Sequence, residues 1–568
     1  MIGFNGKKAI PIGYVDFKEI IDKQLYYVDK TEMIYNLLKN KEKSILFMRP
    51  RRFGKTLNMS MLKYFFDINE KENAYLFDGL EISKHYDEVK EYQNAYPVIS
   101  LSFKEAKQDN FEEALDSMCK EITEQFIKYS FILDSGKIDK EHNEMFRKVY
   151  ECRISSRTVF KNSIKILLEC LYQYYGEKVV VLIDEYDVPL ESAYLKGYYD
   201  EMISFVRTLF SSSMKDNTNV AMSVITGCLR VSKESIFTGW NNFKVNSIQA
   251  ERYSEFFGFE PREVHDILKY YGIEEKEGDV KKWYDGYIFG KNEIYNPWSV
   301  LNQTECWVTE DYDKIPQAWW VNTSGNDIIK TLVEYADDDI NEQMEELIQG
   351  KSIRTRINET VTYSELRDED ANIWSFLYFT GYLKIKEVIP VYEDMDEEYM
   401  MVIPNLEVRK CYRGIIGSYF RSHVAKNVNK SRLYEYLING EADEFAESVT
   451  EIMEDTISFY DTAENFYHGF LAGILSGYEG YRVKSNRENG RGRTDLTIVQ
   501  KRPRENAVIL EFKVCGDIDK LKETAEKALE QIESRNYDNE IRRDKYKRIL
   551  KYGIAFCGKE CYAALREN

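Results

Sequence analysis

The chain is short of the features that build linkers, membrane anchors and disulfide scaffolds. Only 10 of its 568 residues are proline, and no Gly/Ser-rich stretch interrupts it. Its domains are therefore expected to pack closely rather than swing on tethers. No apolar run approaches the roughly 20 residues of a membrane-spanning helix, and the opening MIGFNGKKAIPIGYVDF lacks an apolar secretory core. The expectation is a cytoplasmic protein with no membrane partner. Nine cysteines are scattered singly. Only Cys557 and Cys561 lie close, without a second pair or nearby histidine, so reduced buried thiols are expected rather than a zinc site. Net positive charge is also lacking: 78 basic side chains face 97 acidic ones, a balance of −19. That argues against a protein that coats nucleic acid regardless of sequence. The balance is uneven, since residues 481–504 hold eight Arg/Lys against Glu488 and Asp495. A basic C-terminal face is compatible with nucleic acid, although a charge run is also what a solvated face looks like.

A chain of this length exceeds one hydrophobic core, and domain-size statistics suggest about three to four domains. Ser44–Met48, Val98–Phe103, Val179–Asp184 and Val220–Thr226 are short apolar runs separated by helical stretches. Such alternation predicts an α/β parallel sheet with ligands at the carboxyl ends of its strands. From about 251 to 350 the pattern turns helical and aromatic-rich. Residues 355–408 read as two helices, the second carrying Trp374, Phe376, Leu377, Tyr378 and Phe379, followed by strands Leu383–Val391 and Tyr399–Ile403. That order suggests a winged-helix-like module, whose acidic tip Glu393–Glu398 points to a packing role. Helices are expected over 410–480, then a strand-turn-strand-strand-helix unit over 481–537.

Behind the first strand stands Arg49-Pro50-Arg51-Arg52-Phe53-Gly54-Lys55-Thr56, then a helix. A phosphate loop needs backbone N–H groups at a helix N-terminus, a lysine for the β/γ-phosphates and a hydroxyl for Mg²⁺. Gly54, Lys55 and Thr56 supply that half, while Arg49 replaces the usual first glycine. Arg49, Arg52 and Phe53 join them as candidate phosphate-loop contacts. The run Val179–Ile183 ends in Asp184-Glu185, the Walker B form. Asp184 would hold Mg²⁺ and Glu185 would deprotonate the attacking water. Thr226 fits a sensor position or a structural hydroxyl. Arg230, with Arg207 a weaker candidate, could meet phosphate in its own chain or in a neighbouring subunit, the latter implying a homo-oligomer.

In the C-terminal part, Glu511 and Lys513 of ILEFKV share one face of a strand, because residues i and i+2 of a strand do so. A hairpin near Lys501–Asn506 would bring Asp495 of GRGRTDLTIV beside Glu511. Asp…Glu-x-Lys on paired strands is the PD-(D/E)xK arrangement, with Thr494 in place of its proline. Two charges in an apolar strand are either a structural ion pair or a metal site.

The stretches IGYVDF, YVDKT, RPRRFGKT, LIDEYDVPL, TGCLRVSKESIFTGWNN, WYDGYIFG, IYNPWS and WVNTSGND together resemble the bacterial AAA-ATPase-like family, whose phosphate loop has the same Arg-Pro-Arg-Arg entry. The resemblance spans the chain. It implies an AAA+/STAND-like core with a helical lid and an appended PD-(D/E)xK nuclease-type domain, with Ile12–Phe17 covering adenine or packing against apolar neighbours. SNRENGRGRTDL resembles the strand region of the appended nuclease group. By the same resemblance Glu464 is a further metal-holding acid, His468 is structural, and Gln531 orients phosphate or water. Arg487, Arg491 and Arg493 are candidate phosphate contacts.

The resulting expectation is an α/β protein with four parts: an AAA+-type P-loop domain (1–250), a helical lid (251–350), a winged-helix-like region (351–410) and a nuclease-like domain (411–568). It would bind ATP with Mg²⁺, cleave DNA, and let nucleotide state gate the nuclease. The alternative is a signalling or scaffold ATPase whose nuclease fold binds a partner without cleaving.

Overall fold

The computed structural model describes residues 6–152, 156–229, 243–320, 331–332, 338–366, 368–390, 397–414, 430–456, 464–475, 480–489, 492–501, 505–535 and 537–567. The chain divides into two compact units, one of residues 1–323 and 350–410, the other of residues 324–349 and 411–568.

The first unit is built on strands β1 (Ser44–Met48), β2 (Val98–Ser102), β3 (Val179–Asp184), β4 (Val220–Gly227) and β5 (Phe243–Asn246). All five run parallel in the order β2-β3-β4-β1-β5. β1 and β3 are buried along their whole length, which is why they read as unbroken apolar runs rather than alternating ones. The register brings Met48 beside Gly227, and Ser102 beside Asp184. The ends of β1, β3 and β4 therefore share one edge of the sheet. β5 escapes sequence reading because FKVN is only four residues long and partly exposed.

Residues 251–320 are mostly helical, as expected, but contain a hairpin of β6 (Tyr287–Phe289) and β7 (Asn292–Ile294). The helix Pro261–Tyr271 starts with proline after a Glu260/Glu263 capping box and stops at left-handed Gly272. Its Val264, Ile267, Leu268 and Tyr271 form a core with Val280, Tyr284, Tyr295 and Trp307.

The region expected to open with two helices differs. It begins with strand β8 (Ile353–Arg356), and the first helix is a single turn, Tyr363–Glu365. Thr362 and Glu365 cap each other across that turn, and Asn372 Nδ2 donates to the Glu365 carbonyl, closing it. The helix Asp370–Phe379 follows, then β9 (Lys384–Ile389) and β10 (Glu398–Val402), in an antiparallel sheet ordered β8-β10-β9. Positions 393–396 of the acidic tip lie outside the described residues.

The second unit has helices Lys430–Asn439, Ala442–Thr456 and Glu464–Ile474. A five-stranded sheet follows: β11 (Tyr481–Asn489), β12 (Gly492–Gln500), β13 (Asn506–Val514), β14 (Arg548–Cys557) and β15 (Glu560–Glu567). The order is sequential, with only β13 and β14 parallel. That parallel step is bridged by the helix Leu521–Ser534. Ala525, Leu529 and Ile532 of the helix pack on Ala507, Ile509 and Ala555 of the sheet. Gly553 permits the approach: a Cβ there would stand 2.2 Å from the Ala525 carbonyl oxygen and 2.4 Å from the Leu529 nitrogen.

Candidate functional site

At the carboxyl edge of the parallel sheet, the Arg49–Gly54 loop turns directly into the helix Lys55–Phe66. Arg52 (φ 71°) and Gly54 (φ 82°) both take left-handed backbone, which folds the loop back over the helix N-terminus. Two anchors hold it. The Arg49 amide donates to the Gly227 carbonyl at 3.0 Å, and the Phe53 carbonyl accepts from the Gly258 amide at 3.1 Å. The Phe53 ring is fully buried against Tyr287 and Phe289. The Phe53 side chain and carbonyl thus anchor the loop.

Arg49 is buried as well. Its guanidinium is 0% exposed. Nη1 donates to the Met48 and Asn246 carbonyls at 2.8 and 2.9 Å, and Nη2 to Asn246 Oδ1 at 2.6 Å. The rings of Phe257 and Phe289 flank it. Burial lowers its pKa to about 9. Arg49 clamps the loop entry to the end of β5 and the segment after it. Arg52 is exposed, with its guanidinium 4.2 Å from the centre of the Trp298 ring, so the IYNPWS segment props it from below.

The polar groups converge as expected. Lys55 is 4% exposed, and its Nζ donates to the carbonyls of Arg49 and Pro50 at 2.9 and 3.0 Å. Thr56 Oγ1 donates to Asp184 Oδ2 at 2.7 Å, and Thr226 Oγ1 donates to Asp184 Oδ1. Asp184 is thereby held by one hydroxyl from the loop helix and one from β4. Glu185 has left-handed backbone (φ 52°), and its amide donates to Thr226 Oγ1 at 3.3 Å. Burial pushes the Glu185 carboxyl above the ordinary carboxylate range, with Lys55 opposing, Asp184 adding and Arg51 opposing. Arg230 lies outside the described residues.

Several supporting residues were not singled out from sequence. Asp187 Oδ2 accepts from the Cys228 and Leu229 amides at 2.7 and 3.1 Å, tying LIDEYDVPL to TGCLR. Gly227 is required there, since a Cβ would meet the Tyr186 ring at 2.6 Å. Arg51 pairs with Glu191 at 2.5 Å. The paired motifs themselves were the available signal. Segment Ile12–Phe17 is bound to the loop helix: Ser60 Oγ donates to Asp16 Oδ2 at 3.1 Å and accepts from the Phe17 amide at 2.9 Å.

In the second unit, the β12–β13 ladder pairs Leu496 with Leu510, so Asp495 and Glu511 are the next residues along their strands. Past the ladder, Asp495 Oδ2 accepts from the Phe512 amide at 2.8 Å, and His468 Nε2 donates to the Asp495 carbonyl at 2.9 Å. His468 therefore fixes the main chain under Asp495. Burial raises the Asp495 carboxyl, with the Phe512 amide and the charges of His468 and Lys513 acting against it. Glu511 is 3% exposed, and Gln531 Nε2 donates to Glu511 Oε1. Lys513 follows on the same strand face, partly exposed. Glu464 opens its helix, but its side chain, like those of Arg487 and Arg493, lies outside the described residues, as does Arg491 entirely. Among the described residues no three His, Cys, Asp or Glu gather as a metal-binding group. Among them, too, no helix is long and apolar enough to cross a membrane.

A parallel sheet with a phosphate loop and a second sheet bearing Asp…Glu-x-Lys define an ATPase-like module and a nuclease-like module, and the comparisons agree. Residues 11–237 match the family model described as a predicted AAA-ATPase, AAA-ATPase-like, and residues 462–564 match the PD-(D/E)XK nuclease superfamily. The chain is also 24% identical over 548 residues to an uncharacterised protein in the vnfD 5' region of Azotobacter chroococcum mcd 1, covering 94% of either chain.

Proposed function

We propose that the first unit binds and hydrolyses ATP with Mg²⁺, and that the second cleaves DNA in a metal-dependent way. The observation that carries the ATPase reading is the double hydroxyl grip on Asp184 by Thr56 and Thr226, with the buried ammonium of Lys55 on the residue next to Thr56. Bound Mg²⁺ would neutralise phosphate charge. Thr56 and Asp184 are the oxygens suited to hold it. Lys55 would exchange its two carbonyl partners for phosphate oxygens. Glu185, half-buried and with a raised pKa, would take the proton of the attacking water.

In the nuclease-like domain, Asp495 and Glu511 supply carboxylates at adjoining strand positions, Lys513 a cation for water or the scissile phosphate, and Gln531 an amide that orients Glu511. Glu464 stays a candidate further acid, and Arg487, Arg491 and Arg493 candidate phosphate contacts. Nucleotide state is proposed to gate cleavage.

The test is twofold. Supercoiled and linear DNA are incubated with Mg²⁺ or Mn²⁺, using wild type and Lys513→Ala, with ATP, ADP or neither. Metal-dependent cleavage lost in Lys513→Ala supports the nuclease. No such cleavage of any DNA favours the partner-binding scaffold. Cleavage rates equal under all three nucleotide conditions, and in Lys55→Ala, would remove the gating.

A further inference from the structure

The phosphate loop carries three arginines, and their surroundings sort them. Arg49 is enclosed by carbonyls and rings, and Arg52 rests on Trp298. Arg51 follows directly after the two carbonyls, of Arg49 and Pro50, that receive the Lys55 ammonium. Its Nη2 donates at 2.5 Å to Glu191 Oε2, on the helix Val188–Lys196 that follows Asp184-Glu185. Cys228 Sγ lies 3.6 Å from Lys55 Nζ. Glu191 is itself buried, and its helix begins three residues after Glu185.

We propose that Arg51, from the chain's own phosphate loop, contacts the γ-phosphate and offsets the charge that builds on it during hydrolysis, so that no arginine from a second copy is needed. This rests on the ATPase reading above. A water oxygen forms a bond to the γ-phosphorus and the bond from phosphorus to the β–γ bridging oxygen breaks. The electron pair leaves with ADP, and the water proton passes to Glu185. Arg51 donates hydrogen bonds and transfers no proton. Glu191 holds the guanidinium in place beforehand, and an arginine presented this way need not be ordered at the moment of reaction.

ATP turnover, fluorescent-nucleotide binding and thermal melting of the full chain test this. Arg51→Ala and Arg51→Lys should each lower kcat by about a thousandfold, with ATP and ADP affinity little changed. Glu191→Gln, which keeps the shape, should lower kcat by about tenfold without moving KM. Because Arg51→Ala strands a buried carboxylate, the double variant Arg51→Ala/Glu191→Ala should recover melting temperature but not turnover. Wild-type turnover per chain should not depend on protein concentration. The proposal is overturned if Arg51→Ala turns over like wild type, if turnover returns in the double variant, or if mixing with Lys55→Ala chains rescues Arg51→Ala. Lys55→Ala and Glu185→Gln separate the two readings. If they too leave turnover unchanged, the ATPase reading falls and this inference with it; if they abolish it and Arg51→Ala does not, only this inference falls.

Discussion

Thr56 and Asp184, 128 residues apart in sequence, meet through a hydroxyl donated to a carboxylate at 2.7 Å. The contact joins the loop helix to the end of β3, so the two halves of the nucleotide motif are mechanically one piece. Thr56→Ala should leave nucleotide binding without Mg²⁺ intact while cutting the gain in affinity that Mg²⁺ brings by about tenfold. Titrations with and without Mg²⁺ read this out, and an unchanged Mg²⁺ gain would count against the assignment.

Glu185→Gln should bind ATP as wild type does but hydrolyse it roughly a hundred- to ten-thousandfold more slowly. Partial burial holds the Glu185 carboxyl above the ordinary carboxylate range. A base must be ionised to act, so wild-type kcat should fall as the pH drops, beginning at a higher pH than an exposed glutamate would give. A pH–rate profile whose acid limb sits at the ordinary glutamate position would refute this.

Gly553 stands beside Glu511 in the β13–β14 register and lets the helix bearing Gln531 lie against the sheet. Gly553→Ala should push that helix outward, destabilising the second unit by about 1–3 kcal/mol. It should also weaken metal-dependent cleavage, because Gln531 moves with the helix. Denaturant midpoints and cleavage rates check both, and an unaltered midpoint contradicts the packing argument.

Glu407 is fully buried, accepting from Ser299 Oγ and from the Trp320 amide at 2.8 Å each, and burial raises its pKa to about 7. In the unfolded chain it ionises near its ordinary value of about 4.3. Between those two values the unfolded state binds fewer protons than the folded one. Stability is therefore fully present below the lower value, declines by about 4 kcal/mol as the pH rises to the upper one, and levels off beyond. Glu407→Gln should flatten that window in melts taken at about pH 5 and pH 8. A variant that keeps the wild-type slope would show that other groups cause it.

Much of the first site was legible because its parts are local. Apolar runs such as VVVLID end in acids, and GKT follows SILFM, so strand ends and loop start could be placed without tertiary knowledge. The roles of Arg49 and Phe53 were not legible. A basic residue in a phosphate loop suggests a phosphate contact, and only burial reveals that Arg49 serves Asn246 and the Met48 carbonyl instead. The hairpin Tyr287–Ile294 was hidden by strands of three residues, too short for a periodicity of two to show. In the second unit Asp495, Glu511 and the hairpin joining them were readable from strand alternation and turn residues. β14 and β15 went unread, although RILKYGIAFC is buried almost throughout.

The sequence by itself determined the strands of the parallel sheet, the Gly54-Lys55-Thr56 loop, the Asp184-Glu185 pair and the Asp495/Glu511/Lys513 set, because each strand or loop is signalled by residues a few positions apart and a single hairpin spans the sixteen positions from Asp495 to Glu511. Only the tertiary structure decided which arginine of the loop is buried, which rests on Trp298 and which faces Glu191. Those outcomes depend on desolvation and on partners roughly 140 to 250 residues away. It also decided that Gln531 reaches Glu511, through a helix whose closeness is set by one glycine on a neighbouring strand.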